Sequence, residues 1–157
     1  MTHKIIDQRP KIALFEPDIP QNTAAIIRTC ACLGAKLEII EPCGFLFSDK
    51  RFKRVVMDYF NEKDINFYQS ADEFFHEKRS DRIILMTTKA SVSYTQFKFQ
   101  RNDTILFGRE SAGVPNEVHK TLDKRLKIPM ENNRRSLNLA SSVAIILAEC
   151  LKQTKWT

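Results

Sequence analysis

The sequence predicts an α/β protein, with one parallel β-sheet flanked by helices. Short apolar runs alternate along the chain with longer segments of helical periodicity, which is typical of the β–α–β units that build parallel sheets. The chain has 157 residues, the length of one ordinary domain. Since no internal repeat or linker divides it, we expect a single domain over residues 1–157.

The first half of the chain alternates predicted strands with predicted helices. Ile12–Phe15 is a buried apolar strand, and two prolines interrupt the pattern before a helix over Asn22–Leu33 that stops at Gly34. The elements that follow are a strand at Leu37–Ile40, a basic helix at Ser48–Asp58, a short strand at Ile65–Tyr68, and a helix at Ala71–Lys78 that begins after Ser70.

The second half continues the alternation and closes with a long helix. Its predicted elements are strands at Arg82–Met86 and Thr104–Phe107, a short helix at Val114–Lys120, a last strand at Arg125–Ile128 that ends at Pro129, and a helix over Ser136–Lys152. Apolar residues cover more than one narrow stripe of this final helix, so we expect it to be buried on several sides.

Composition narrows the classes of protein that the chain can belong to. It is 43% hydrophobic and 28% charged, as in globular domains, and no apolar run approaches the roughly 18 residues of a membrane span. The amino-terminal residues lack a secretory signal, so we expect a cytoplasmic protein. The close cysteine pair, Cys30 and Cys32, is spaced so that its side chains diverge on a helix, which argues against a metal site.

The charge balance favours a polyanionic partner. There are 25 Lys and Arg residues against 19 Asp and Glu residues, a net charge of +6. Many basic proteins never bind nucleic acid, so charge alone leaves the partner open. The run Asp49–Arg54 combines basic residues with Phe52, which suits contact with phosphate but equally suits a solvated basic face.

Three segments are candidate ligand loops, and glycine placement marks the first. Only four glycines are present, and Gly108 and Gly113 fall together directly after a predicted strand. A glycine at the carboxyl end of a strand lets the backbone approach a ligand closely. The alternative is a plain tight turn before the next helix.

The other two candidate loops lead into helices. Residues 128–139 run from a strand end to the last helix, where free amides and the Ser136 hydroxyl can meet a ligand, although Ser136 could simply cap the helix. The third candidate is the segment Asn22–Arg28 after the first strand, in which Arg28 lies in sequence among apolar residues, where a guanidinium needs an anion. A phosphate would serve, or an intramolecular salt bridge to Glu110 or Glu16.

Common nucleotide and hydrolase motifs are missing. The chain contains neither G-x-G-x-x-G nor G-x-x-x-x-G-K-[ST], so neither a conventional dinucleotide site nor a P-loop is supported. His3, His76 and His119 fall outside all three candidate loops, so the sequence places no histidine base there. Any cofactor must therefore be held in another way.

Taken together, the loops resemble the SPOUT RNA methyltransferases, most closely the short bacterial tRNA (cytidine/uridine-2′-O-)-methyltransferases that modify the anticodon wobble nucleotide. The resemblance covers nearly the whole chain and rests on four blocks in order: Phe15–Thr23 with Ile27-Arg28, Ile40–Pro42 with Gly44-Phe45, Phe107–Glu110 with Gly113–Pro115, and Ile128–Met130 with Ser136–Leu139.

The resemblance implies a fold and a methyl donor. In this family the carboxyl-terminal third of the chain is threaded into a trefoil knot, a rare exception among protein folds. S-adenosylmethionine is held in the knot mostly by backbone groups and without a metal. The positions that match this cofactor site are Met86, Gly108, Ile128 and Ser136, with Leu137 beside them.

The resemblance also implies an activity, 2′-O-methylation of the wobble ribose in a tRNA anticodon loop. Catalytic roles carry over to Asn22, Arg28, Glu110 and Asn138. Because an arginine pKa exceeds about 12, a phosphate anchor that orients the hydroxyl is easier to defend for Arg28 than a general base. The family works as a homodimer with an RNA site made by both subunits, and the long last helix would belong to that interface.

Two departures from the family pattern and three alternatives stay open. Ala24 replaces a common glycine and Ala140 a frequent serine, changes that could shift substrate preference or weaken the enzyme. The alternatives are the same chemistry at another tRNA or rRNA ribose, a non-catalytic RNA-binding module, and a flavodoxin-like regulator. The regulator would need clustered aspartates at strand ends, which the sequence does not offer.

Overall fold

The computed structural model describes residues 7–56, 61–132 and 136–156. Strands are β1 (Lys11–Phe15), β2 (Lys36–Ile40), β3 (Ile65–Tyr68), β4 (Ile83–Met86), β5 (Val92–Ser93), β6 (Thr104–Phe107) and β7 (Arg125–Lys127). Helices are α1 (Pro20–Leu33), α2 (Lys50–Val56), α3 (Ala71–Glu77), α4 (Asn116–Thr121) and α5 (Leu139–Thr154), with single 3₁₀ turns at Glu62–Asp64 and Tyr94–Gln96.

The described strands form one parallel sheet in the order β3-β2-β1-β6-β4-β7-β5. Ile12 of β1 lies opposite Leu37 of β2 and Ile105 of β6. Both central strands are buried along almost their whole length, because helices cover the two faces of the sheet. The α/β class and the parallel sheet predicted from the alternation are thus confirmed.

Each face of the sheet has its own apolar core. On one face Ile12 and Leu14 pack in a cluster with Ile26 of α1 and Val143 of α5. On the other face the alternate side chains of β1 join a smaller cluster that includes Phe74 of α3. Since successive strand residues point to opposite faces, a single five-residue strand supplies both cores.

Strand order brings four loops to one edge of the sheet. β6 lies between β1 and β4, and β7 lies between β4 and β5, although β4 and β5 follow each other along the chain. In a parallel sheet all carboxyl ends share an edge, so the loops after β1, β4, β6 and β7 gather there. This edge is where a ligand site is expected in an open α/β sheet.

The boundaries of α1 and α5 differ from those predicted. Helix α1 begins at Pro20 rather than Asn22, because proline is well suited to the first helical position. Helix α5 begins at Leu139 rather than Ser136, and Asn138 is its N-cap, accepting a hydrogen bond from the Ser141 amide at 3.2 Å. The alternative in which Ser136 caps this helix is therefore wrong.

Other predicted elements are confirmed with small differences. The basic helix is shorter than Ser48–Asp58 where it is described, and Asp58 itself lies outside the described residues. Strand β5 was not predicted, because two residues are too few to show a period. Cys30 is buried and Cys32 exposed, so the pair diverges as expected. In the described part of the chain, no helix is both long and apolar enough to cross a membrane.

Candidate functional site

A cavity of about 510 Å³ opens at the carboxyl edge of the sheet. This is within the usual range for small-molecule sites. Every cofactor-binding residue predicted from the resemblance lines it, namely Met86, Gly108, Ile128, Ser136 and Leu137. Of the predicted catalytic residues, Asn22, Glu110 and Asn138 line it as well, whereas Arg28 does not.

The loop after β6 forms one wall of the cavity and folds back on itself. Arg109 and Gly113 exchange two backbone hydrogen bonds, of 3.2 and 2.8 Å, and Gly113 has a φ of 67°. A Cβ on Gly108 would lie 2.6 Å from the Cα of Gly113. The glycine at 108 is thus required by the approach of the loop's own backbone, whereas the sequence argument had assigned it to the approach of a ligand.

Asn138 joins the first turns of two helices beside the cavity. Its Nδ2 donates a hydrogen bond to Oδ1 of Asn22 at 3.0 Å, while its own Oδ1 caps α5. One amide side chain therefore fixes the start of α5 and the side chain of Asn22 at the same time. The two asparagines that the sequence predicted for the site are in direct contact.

Glu110 contacts a residue that sequence reasoning left out, Asp18. The main-chain amide of Asp18 donates to Oε2 of Glu110 at 3.0 Å, and the Ser111 hydroxyl donates to Oδ2 of Asp18. Burial raises the pKa of Glu110, and the hydrogen bond with Asp18 raises it further. The pKa of Asp18 is lowered, chiefly by its hydrogen bond with Glu110. The sequence signals for Asp18 were the turn between Pro17 and Pro20 and the block Phe15–Thr23 of the family resemblance.

Arg109 holds the end of β1 against the same loop. Its Nε and Nη2 each donate to the main-chain oxygen of Glu16 at 3.3 Å, and Nη2 lies 3.7 Å from Oε1 of Glu16. Glu16 adopts a φ of 44°, in the left-handed region that side chains other than glycine rarely occupy. The guanidinium thus stabilises a strained turn that carries the chain from β1 to the cavity rim.

Arg28 lies on the exposed face of α1, so the apolar setting expected for it is wrong. An α-helix turns by about 100° per residue, so Ile26, Ile27 and Cys30 point into the core while Arg28 points outward. An exposed guanidinium is well placed to meet a large anionic partner.

The described residues that line the cavity supply main-chain polar groups, amides, hydroxyls and apolar side chains, together with the charged side chains of Lys89, Arg109 and Glu110. Among all described residues, no group of three or more His, Cys, Asp or Glu side chains could hold a metal ion. The arrangement can hold a small polar molecule with an apolar portion, next to two side-chain amides that can orient a second reactant.

Comparison with known proteins gives consistent results. The chain is 45% identical over 144 residues to the tRNA (cytidine(34)-2′-O)-methyltransferase of Beijerinckia indica, covering 90% of each chain. A solved structure described as structural insights into the 2-OH methylation of C/U34 on tRNA superposes with a TM-score of 0.87 at 36% identity, covering 92% of this chain and 95% of that one.

A longer solved protein shares the fold and holds a ligand. The AdoMet-bound rRNA methyltransferase of Sinorhizobium meliloti superposes with a TM-score of 0.82 at 25% identity, covering 92% of this chain and 56% of that one. The SpoU rRNA Methylase family matches residues 9–148, a range that contains every described strand and most of the final helix. By the extent of that match and the identity to its relatives, the chain belongs to the SpoU rRNA Methylase family.

Proposed function

We propose that this protein transfers a methyl group from S-adenosylmethionine to the ribose 2′-oxygen of the wobble nucleotide, a cytidine or modified uridine, in a tRNA anticodon loop. The observation that carries the proposal is the cavity, which is lined by residues from distant parts of the chain that include the positions matched to the family's cofactor site. The relatives named tRNA (cytidine(34)-2′-O)-methyltransferase support nucleotide 34 as the target.

The cavity residues fit a nucleoside sulfonium ligand. Met86, Ile128 and Leu137 offer apolar surface, and Leu137 is 42% exposed where a ligand could cover it. Gly108 and Ser136 lie in loops whose main-chain groups can bind an adenosine and an amino-acid moiety. S-adenosylmethionine would supply an activated methyl group, so the protein has only to position the acceptor and assist loss of its proton.

The residues around the cavity would position the RNA and hold the cavity wall in place. Asn22 and Asn138, linked to each other at 3.0 Å, would orient the ribose hydroxyl. Glu110 would hold the loop that forms the cavity wall. Arg28 would anchor an RNA phosphate, since its guanidinium stays charged at neutral pH and is exposed.

We propose further that the protein is a homodimer whose RNA site takes Arg28 from one subunit and the cavity from the other. Arg28 does not line the cavity of its own chain. The exposed face of α1 also carries the small residues Ala25 and Cys32, and Ile145 on the neighbouring α5 is 37% exposed. Small and apolar residues on adjoining helices suit a helix-to-helix interface between two copies.

A basic and aromatic surface next to α1 would contact the anticodon stem-loop. Lys53 and Arg54 are exposed on α2, which Phe52 anchors in the core. The ring of Phe47 lies 4.7 Å from that of Phe52 and 5.0 Å from that of Phe67, which is 42% exposed. Cations beside an exposed aromatic ring suit single-stranded RNA, whose bases stack and whose phosphates need countercharge.

The trefoil knot and a cytoplasmic location belong to the same proposal. Placement of β7 between β4 and β5 supports a chain that returns across an earlier connection. The free state of the four cysteines supports a reducing compartment, where tRNA is also found.

The test is methylation of bulk tRNA with labelled S-adenosylmethionine, followed by nucleoside mapping. We expect 2′-O-methyl label at nucleotide 34 and its loss in Arg28→Ala. Label only on rRNA fragments would contradict the assignment, and binding of RNA without any methylation would indicate a binding module. Mixing inactive Arg28→Ala chains with inactive Asn138→Ala chains tests the shared site, since mixed dimers keep one intact site and should restore about a quarter of the activity.

A further inference from the structure

Two acidic side chains from loops far apart in sequence meet at the rim of the cavity. Asp18 lies between β1 and α1, and Glu110 lies in the loop after β6. Besides the 3.0 Å bond from the Asp18 amide to Glu110 Oε2, their carboxyl groups are within hydrogen-bonding reach of each other. Glu110 lines the cavity, whereas Asp18 does not. The contact joins the start of α1 to the cavity wall.

Each of the two carboxyl groups has one buried oxygen that lacks an ordinary hydrogen-bond donor. Oδ1 of Asp18 and Oε1 of Glu110 have almost no exposed surface, and no N–H or O–H group of the described residues donates to either. Ionised carboxylates only accept hydrogen bonds, so two of them facing each other would leave both oxygens unsatisfied and would repel. A single proton between them supplies the missing donor and removes one charge.

We propose that Asp18 and Glu110 share one proton, and that this proton closes the loop between β1 and α1 onto the cavity wall. Asp18 is then a positioning residue, since it acts through Glu110 and does not line the cavity. The same link keeps the first turn of α1, with Asn22, against the rim. Its consequence for methyl transfer rests on the proposed function, whereas the shared proton itself does not.

The groups around the pair place the proton on Glu110. Arg109 and the Ser111 hydroxyl favour an ionised Asp18. From the other packed segments, the thiol of Cys43 lies close enough to interact with Glu110 and also with the carboxylates of Glu16 and Glu41, and none of these groups adds a positive charge. Burial disfavours ionisation of Glu110, which agrees with the raised direction of its pKa.

The pH dependence follows from the direction of that shift. A carboxyl whose pKa is higher in the folded protein than in the unfolded chain binds its proton more tightly when folded. It therefore stabilises the fold below its ordinary pKa, and this contribution is lost as the pH rises through the raised pKa of Glu110. Above that pH both carboxyls are ionised, so they repel and the two loops are less firmly joined.

The test is a titration of the glutamate side-chain carboxyl groups by carbon NMR on the whole protein, without tRNA. In the wild type, one resonance, identified by its absence in Glu110→Gln, should titrate well above the ordinary glutamate range. Asp18→Asn removes the like charge and supplies an N–H donor, so the midpoint of Glu110 should fall. Ser111→Ala removes only the hydroxyl that donates to Oδ2 of Asp18. The midpoint of Glu110 should therefore stay raised.

An ordinary Glu110 midpoint in the wild type, or an unchanged midpoint in Asp18→Asn, would overturn the shared proton. These readouts need neither substrate nor turnover, so they stand or fall separately from the proposed methyl transfer. Where methylation is measured, the alkaline limb of the kcat profile should move to higher pH in Asp18→Asn and not in Ser111→Ala. An alkaline limb that does not move would overturn the positioning role.

Discussion

Replacement of Gly108 by alanine should force the cavity loop open. The new Cβ would lie 2.6 Å from the Cα and 2.7 Å from the carbonyl carbon of Gly113, and 3.0 Å from the amide nitrogen of Val114. All three are backbone atoms, which cannot rotate away as a side chain can. The backbone on the two sides of this loop, around Gly108 and around Gly113, must therefore move apart. The backbone hydrogen bonds of 3.2 and 2.8 Å between Arg109 and Gly113 must then lengthen.

The size of the effect follows from the contacts that are lost. Two backbone hydrogen bonds contribute about 1 kcal/mol each, and forcing a methyl group into a packed site costs about 1–3 kcal/mol. The loop can relieve its strain only by giving up some of these bonds, so we expect the free energy of unfolding to fall by about 2–4 kcal/mol. For a chain of this length, that lowers Tm by roughly 5–15 °C.

Binding of S-adenosylmethionine should weaken with the same change, because Gly108 lines the proposed site. A loss of about 1.4 kcal/mol or more at the cavity wall corresponds to at least a tenfold weaker Kd. The assays are thermal unfolding and titration calorimetry with S-adenosylmethionine alone. Calorimetry without tRNA separates this effect from any defect in RNA binding.

Gly113→Ala is the matched control. A Cβ at Gly113 would meet nothing within 4 Å, so that variant suffers only the cost of its positive φ, about 1–2 kcal/mol. It should therefore bind S-adenosylmethionine more tightly than Gly108→Ala. A Gly108→Ala protein with the wild-type Tm and the wild-type Kd would refute the steric argument.

Three further changes test other parts of the structure. Gly44→Ala should lower both Tm and kcat, because the new Cβ would lie 2.8 Å from the Cβ of Asp18 and would displace that residue. A normal kcat would show that Asp18 can move without consequence. Lys78→Ala should lower the free energy of unfolding, measured in urea, by about 3–5 kcal/mol. The reason is that Oε1 of the buried Glu38, 2.5 Å from the Lys78 ammonium, loses its cation. A loss below about 1 kcal/mol would contradict this pairing. Asn138→Ala should cost about 1 kcal/mol of stability because the helix cap is lost. Asn138→Ser should restore the stability but not the methylation, because serine can cap the helix but cannot donate to Asn22 in the same way. Equal methylation by both variants and the wild type would contradict the role of the amide.

Much of the fold could be predicted from the sequence because buried elements are built mainly from apolar residues. Strands β1 and β6 are covered on both faces, so nearly every residue in them is apolar and the runs stand out. The candidate loops were identified because each follows such a run, and carboxyl ends of parallel strands share one edge. Family membership came from the order of four blocks of residues, which periodicity alone does not contain.

Several features of the site depend on partners that only the folded chain brings together. The reason for glycine at 108 is the backbone of Gly113, and the exposure of Arg28 depends on which side of α1 faces the sheet. The start of α5 was also predicted wrongly, because Ser136 and Asn138 are comparable N-caps and local sequence does not choose between them.

The sequence by itself determined the class of the protein, the parallel sheet, and which loops carry polar ligand groups, because these depend on local burial and on strand direction. Tertiary structure alone decided the strand order and the contact between Asp18 and Glu110, 92 residues apart. Pairings over such separations are chosen by the packing energy of the whole chain, and one carboxyl group can share a proton with another only when folding brings the two together.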